Sequence, residues 1–401
     1  MSDKQKKLLL LGGSSFLRPL IREAHALGIY VITCDYLPDN AAHRLSDRYL
    51  NISILDRDAV LEAARALEID GVMSFACDPG VVTAAYVAEK LGLPSPGSYD
   101  ATCILQDKGR FRAFLRDNGF TMPWARRYTD KAAALNDALG YPCIVKPVDC
   151  AGSKGVRRVD SPEALPAAID YALDFSHSGA FIIEQFIQQQ GFSSDTDCFV
   201  IDGRLAYCSF DEQRFDRAAE NPYTPAAYSW PSSMPPEIQA ELRAELQRLM
   251  TLLQIGTGVF NIETRQGTDG KAYIMECTPR GGGNRLSEVL EMASGVKLVQ
   301  NAVRAAVGLP VDEMQDPVYN GHWAELILHS DRAGVYERVE LSPEVRPYIV
   351  EADYWVTPGE TIEAFSGANK AIGTLVLNFP DRPTLERYMS GDFWYQVITR
   401  A

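Results

Sequence analysis

The chain has 401 residues, 46% of them hydrophobic and 23% charged, enough for two or three packed domains. Its 53 acidic and 39 basic residues leave a net charge of −14, which argues against binding along a nucleic-acid backbone and against a polybasic membrane anchor. Eight cysteines lie scattered without Cys-x-x-Cys or Cys/His metal spacing, and no apolar run has the length of a signal-peptide core or a membrane span, so a reducing cytoplasm is the expected compartment.

Residues 7–95 alternate short apolar runs with helical periodicity. Strands are expected at 7–11, 30–34 and 71–75, and helices at 16–27, 57–67 and 81–91. Such a βαβ series builds a parallel sheet whose ligands sit beyond the carboxyl ends of its strands. Gly13, Asp35 and Asp78 lie at those ends. The Gly12-Gly13-Ser14-Ser15 turn does not complete Gly-x-Gly-x-x-Gly, so a plain tight turn is an equal reading. Asp35 and Asp78 fit helix caps as well as ligand contacts.

Pro94-Ser95-Pro96-Gly97 breaks the periodicity and marks a boundary. One helix is expected over 99–118, carrying Lys108. Strand 143–147 bears Lys146 and runs into the turn Gly152-Ser153-Lys154-Gly155. Glycine lets backbone N–H groups approach phosphate oxygens closely, and lysine adds a point charge. The spacing is not that of a P-loop, and a hairpin with exposed lysines is the competing reading. Segment 180–187 reads as an apolar strand entering a connector, and 196–201 with 205–210 as a hairpin turning at Asp202-Gly203. The Pro- and Tyr-rich stretch 213–236 is expected to be a long connection, with 223–230 a candidate substrate-selective wall.

A helix with Ile238, Leu242, Leu246, Leu249 and Leu253 on one face leads to the hairpin 258–280, which turns at Gly267-Thr268-Asp269-Gly270. Glu263 and Glu276 sit near the ends of its strands, an arrangement that suits a hard divalent cation holding phosphate oxygens; an exposed acidic hairpin is the alternative. Asn284, Arg285 and Ser287 follow a triple glycine and either bind an anion at a helix N-terminus or cap that helix. From residue 318 a small αβ module is expected, with strands near 324–329, 349–356 and 373–379 and a helix at 384–389. The five histidines show neither triad nor metal spacing.

Taken in order, Asp107-Lys108, Ile144-Val145-Lys146-Pro147, the Gly-Ser-Lys-Gly-Val turn, Ile183-Glu184-Gln185-Phe186-Ile187, Phe260-Asn261-Ile262-Glu263 and Ile274 through Arg280 resemble the ATP-grasp superfamily over about residues 100–305. The flanks resemble those of carbamoyl-phosphate-synthase-like and L-amino-acid-ligase-like members. The resemblance implies an α/β ATP-grasp fold, two α+β subdomains gripping ATP, in three parts. These are a Rossmann-like domain at 1–97, an ATP-grasp domain at 98–310 with a mobile lid at about 121–190, and a small αβ module at 311–401. It also implies an ATP- and Mg²⁺-dependent ligase that joins a small, amino-acid-like carboxylate to an amine through an acyl phosphate. A carboxyphosphate- or formyl-phosphate-forming enzyme and a nucleotide-binding regulator are the alternatives.

By the same resemblance Lys108, Lys146, Gly152, Ser153, Lys154 and Gly155 bind ATP phosphates. Glu184, Gln185, Phe186 and Ile187 form the adenine connector, with Gln190 at the ribose. Glu263, Glu276 and Thr278 hold metal, Thr278 standing where the family pattern has Asn. Arg280, Lys146 and Glu276 are catalytic, and Gly13, Asp78, Arg280, Asn284, Arg285 and Ser287 meet substrate. The implied partners are small molecules, with no nucleic acid and no membrane; a homodimer is the commonest assembly.

Overall fold

The computed structural model describes residues 4–150, 152–219, 221–390 and 394–400. At the N-terminus four parallel strands lie in the order Arg48–Leu50, Tyr30–Cys34, Lys7–Leu11, Gly71–Ser74. Leu8 to Leu11 are wholly buried, as strands covered by helices on both faces require. Helix Arg57–Leu67 has the expected bounds. Helix Asp78–Leu91 starts three residues earlier than expected, because Pro79 is tolerated in a first turn where its missing N–H has no partner to lose. The expected helix at 16–27 is a 3-10 turn, Ser15–Leu17, followed by helix Arg18–Ala26.

The single helix expected at 99–118 is two, Tyr99–Gln106 and Lys108–Asp117. Asp107 divides them: its backbone is extended and its carboxylate accepts from Arg110 N at 2.9 Å, a helix cap. Lys108 is thereby placed at a helix start, with its own N–H donating to Val148 O at 3.1 Å.

Two antiparallel four-stranded sheets follow. The lysine-bearing sheet has the order Ala125–Tyr128, Phe181–Gln185, Cys143–Pro147, Arg157–Val159, and helix Leu165–Phe175 packs on it. The floor sheet has the order Arg204–Cys208, Ser194–Ile201, Gly258–Gln266, Ala272–Thr278. Helix Pro236–Leu252 buries Ile238, Leu242, Leu246 and Leu249 in the core beneath it, as their spacing predicts.

The stretch 213–236 is not a long connection. Strands Glu212–Phe215 and Pro225–Trp230 enter a five-stranded sheet continued by His322–Leu328, Gly373–Phe379 and Ile349–Tyr354. Tyr228 and Trp230 are therefore core residues and not a loop wall. Strand periodicity failed here because 226–230 is buried on both faces and so does not alternate. The polar residues before it pair with each other and with partners far away in sequence: Glu212 with Arg214 and Arg382, and Arg214 with Glu386. This sheet draws strands from both sides of the boundary expected at 310. Strands Gly334–Leu341 and Tyr395–Arg400, also unanticipated, form a three-stranded sheet with Thr361–Ile362.

Candidate functional site

The hairpin register sets Glu263 directly opposite Glu276 and Asn261 opposite Thr278. On the other side of the same strand Asp195 faces Glu263 and Asp197 faces Asn261. Directly paired residues share a face of the sheet, so six oxygen-bearing side chains line one face of the floor. Lys108 Nζ reaches down to Glu276 Oε1 at 3.2 Å and donates to Cys150 O at 2.9 Å, bridging the glycine turn and the floor. Burial works against the Lys108 cation, but Glu276 and Asp78 outweigh it and raise its pKa. Burial likewise opposes the Glu276 carboxylate, and Lys108 and Lys146 reverse the effect and lower its pKa.

Lys146 Nζ lies 2.5 Å from Glu184 Oε1, and Arg112 Nε lies 3.0 Å from Glu184 Oε2. The Glu184 carboxylate is thus spent on two cations, which against burial hold its pKa at about 2. Glu184, expected in the adenine connector, lines the cavity beside Gln185, Phe186 and Ile187 while its carboxylate fixes Lys146, and burial lowers the Lys146 pKa despite the pairing. Arg112 Nη1 also donates to Met275 O at 2.9 Å, tying the lysine-bearing sheet to the floor. Arg112 was missed in the sequence, although it sits four residues after Lys108 on the same helix face.

Lys108, Lys146, Phe186, Tyr223, Glu263 and Glu276 surround one cavity of about 150 Å³, together with Gly152, Ser153, Lys154, Gln185 and Ile187. Gly152, Ser153 and Gly155 all have positive φ, and a Cβ at Gly155 would meet Pro147 at 2.8 Å. The turn is held by Ser153 Oγ donating to Tyr223 O at 2.9 Å. Gly155 and Gln190 lie outside the cavity lining; Gln190 is exposed, and its N–H donates to Gln266 O.

The floor's donor set is carboxylate oxygen, which fits Mg²⁺. Thr278 Oγ1 is buried on the same face without a hydrogen-bond partner, an oxygen left available to an ion. Burial, with Glu263 alongside, pushes the Asp195 carboxyl up to about 7. Asp197 accepts from Gly282 N at 2.8 Å and from Ser287 Oγ, so Ser287 anchors the glycine loop from beneath. Asp195 and Asp197 passed unread because acids alternating with Ser194 and Thr196 carry no apolar period.

Arg280 is paired through two nitrogens with Asp78, at 2.9 to 3.2 Å. Asp78 neither caps its helix, whose cap position is Cys77, nor lines a cavity with the glycine loop. Gly281 packs so tightly on Phe75 that a Cβ would lie 2.2 Å from its ring. Gly13 is buried under His43, where a Cβ would come within 2.6 Å of the imidazole, and it too stays outside the cavity. Asn284 and Arg285 have left-handed backbones, and Arg285 pairs with Glu288 and Glu351. A second cavity of about 300 Å³ adjoins this loop, lined by Phe16, Arg18, Arg285, Ser287, Glu288 and Trp355 among others. No helix among the described residues is long and apolar enough to cross a membrane.

The sequence profile of the ATP-grasp domain matches residues 139–288, and that of the ATP-grasp N-terminal domain matches residues 21–95. A formate-dependent phosphoribosylglycinamide formyltransferase of Synechococcus sp. (strain WH7803) is 28% identical, over 78% of this chain and 79% of that protein. The carbamoyl phosphate synthase large chain of Ralstonia nicotianae is 25% identical over 56% of this chain, which spans only 21% of that protein's length. The crystal structure of L-amino acid ligase from Bacillus licheniformis superposes with a TM-score of 0.82 at 20% identity, covering all of both chains. The biotin carboxylase domain dimer of Hydrogenobacter thermophilus 2-oxoglutarate carboxylase, a complex with MgADP, does so at 0.74 and 18% identity, over 98% of this chain and 91% of that one. With both profiles in the expected order and this fold around the paired lysines and glutamates, the chain belongs to the ATP-grasp superfamily, whose members use ATP with Mg²⁺.

Proposed function

We propose that this chain is an ATP-dependent ligase joining a small, amino-acid-like carboxylate to an amine. The observation that carries the reading is the convergence of Lys108 and Lys146 with Glu263 and Glu276 on one cavity. Phosphoryl transfer between two anions needs cations at the moving group, fixed geometry and exclusion of water, and no side-chain nucleophile. Mg-ATP supplies the phosphoryl group that turns the carboxylate into an acyl phosphate, from which the amine displaces phosphate as the nitrogen loses a proton.

Lys108, Lys146 and the 152–155 turn hold phosphate oxygens, and the backbone of 185–187 holds the base. Glu263, Glu276 and Thr278 hold the metal. Arg280, oriented by Asp78, offsets charge on the transferring phosphoryl group. The acid occupies the cavity beside Arg285 and Ser287, whose Phe16 and Trp355 rings stand 5.6 Å apart at 78° and give it an aromatic wall. A second reading, formation of formyl phosphate, is favoured by the named activity of the Synechococcus relative.

The test is phosphate and ADP release with Mg-ATP and a panel of amino acids, taken singly and in pairs. Amino-acid-dependent release is the expected result. Formate-dependent release with no amino-acid dependence would replace the ligase by the second reading, and nucleotide binding without turnover under every pairing would leave a regulator.

A further inference from the structure

The cavity of about 300 Å³ beside Arg285 carries more charge than the activation of one carboxylate requires. Three arginines line it, Arg18, Arg22 and Arg285, together with three acids, Glu288, Glu351 and Asp353. Arg285 is taken by the first two acids, at 3.2 and 2.5 Å. Asp353 accepts the Trp355 indole N–H through Oδ2 at 2.9 Å. Arg18 and Arg22 differ: among the described residues neither guanidinium has an ion pair or a side-chain hydrogen bond.

The two stand four residues apart on helix Arg18–Ala26, so they share a face, about 6 Å apart along its axis. Like charges at that spacing repel, and a guanidinium does not lose its proton to relieve the repulsion. The helix supplies no acid in its first turn, and Glu23, the neighbour of Arg22, turns to the Gln300 amide at 2.9 Å. Two like charges are thus left facing a concave space in a chain whose net charge is −14.

We propose, resting on the ligase reading, that the acid activated here is a dianionic amino acid, whose second anionic group, a carboxylate or a phosphate monoester, is held by Arg18 and Arg22. Gly282 lines the same cavity two residues after Arg280, so a reacting carboxylate at that edge lies beside the cation assigned to the phosphoryl group. The paired guanidinium forks match the oxygens of the other anionic group. The substrate ammonium goes to Asp353, whose carboxylate accepts further bonds beyond the indole contact. The Phe16 and Trp355 rings bound the space and suit the short methylene chain between the charged groups. Arg18 and Arg22 are then specificity-determining residues, reading charge on the substrate without touching its reacting atoms.

The experiment is calorimetric titration of the full chain, loaded with Mg-ADP, using two pairs of probes: L-glutamate against L-glutamine, and O-phospho-L-serine against L-serine. In at least one pair the anionic member should bind about tenfold or more tighter than its neutral counterpart, and the pair that shows it identifies the group as carboxylate or phosphate. Arg18→Gln and Arg22→Gln should each cut that preference about threefold or more, with ADP affinity within about twofold of wild type. No preference for the anion in either pair of the wild type would overturn the proposal, and that comparison needs no variant. A preference left unchanged in both variants would overturn it too. The ADP titration of the wild type reads the nucleotide site separately: its failure would sink the ligase reading, while the probe pairs, titrated again without ADP, would still decide the anion site.

Discussion

In the lysine-bearing sheet Glu184 is closed on both sides, by Lys146 at 2.5 Å and Arg112 at 3.0 Å, whereas in the floor sheet Asp195 keeps one oxygen without a partner and Thr278 keeps its hydroxyl so. The two sheets face one cleft and both carry charge into it. In the first, opposite charges pair and leave only Arg112 Nη2 without a partner, and the group holds the sheet and the floor together. In the second, acceptors outnumber donors and the surface is completed only by what binds. Buried polar groups that match support the fold, and those that do not match point to a ligand.

The sharpest way to break this contrast is Glu276→Gln, which changes one oxygen of the proposed metal site to an amide of nearly the same shape. Turnover with Mg-ATP should fall on the order of a thousandfold, about 4 kcal/mol, with a smaller drop in the urea midpoint because Lys108 loses its carboxylate partner. Full Mg-dependent activity in the variant would remove Glu276 from the metal site.

Next comes Glu184→Gln, which leaves Lys146 and Arg112 sharing a neutral group and should cost about 3 kcal/mol in urea unfolding at neutral pH. The pH dependence gives an independent check. The folded carboxyl titrates at about 2 against an ordinary 4.5, so its stabilisation is complete above about pH 4.5 and is lost as pH falls toward 2. Wild-type stability should therefore drop more steeply than the variant's between about pH 5 and about pH 3. Parallel curves would show that the pairing contributes nothing.

The smallest effect belongs to the contact between the regions. Asp78→Asn removes the charge that orients Arg280 and should lower kcat about tenfold, about 1.4 kcal/mol, with little change in the KM for ATP. A raised KM with normal kcat would assign Asp78 to nucleotide binding instead.

What the sequence disclosed follows the same division. The Glu263/Glu276 hairpin was legible because its turn and its alternating strands are local signals, and the register pairs those two residues. Lys146 stood out as a charge on an apolar strand, whereas Lys108 was read inside a single helix and its place at a helix start follows from the break at Asp107. Asp78 was not readable as the partner of Arg280, because the pair spans 202 residues and each residue has an ordinary local role. Strand 225–230 was hidden by Pro225, Pro231 and burial on both faces, and its neighbour by polar residues whose partners come from helix Arg382–Met389. Local periodicity reports what a segment does alone; these segments are defined by what arrives later.

That lateness has a consequence for biosynthesis. Strand Pro225–Trp230 precedes the floor hairpin in the chain, yet one of its two sheet neighbours, His322–Leu328, is made after that hairpin and the two helices that follow it. On the ribosome the parallel N-terminal unit has all its strands early, while this later strand waits with one edge bare until its neighbour emerges. An unpaired apolar edge is the species most prone to wrong pairing and to capture by chaperones. A truncation that removes residues from 322 onward would therefore leave strand Pro225–Trp230 with that edge permanently bare, as well as removing the terminal module.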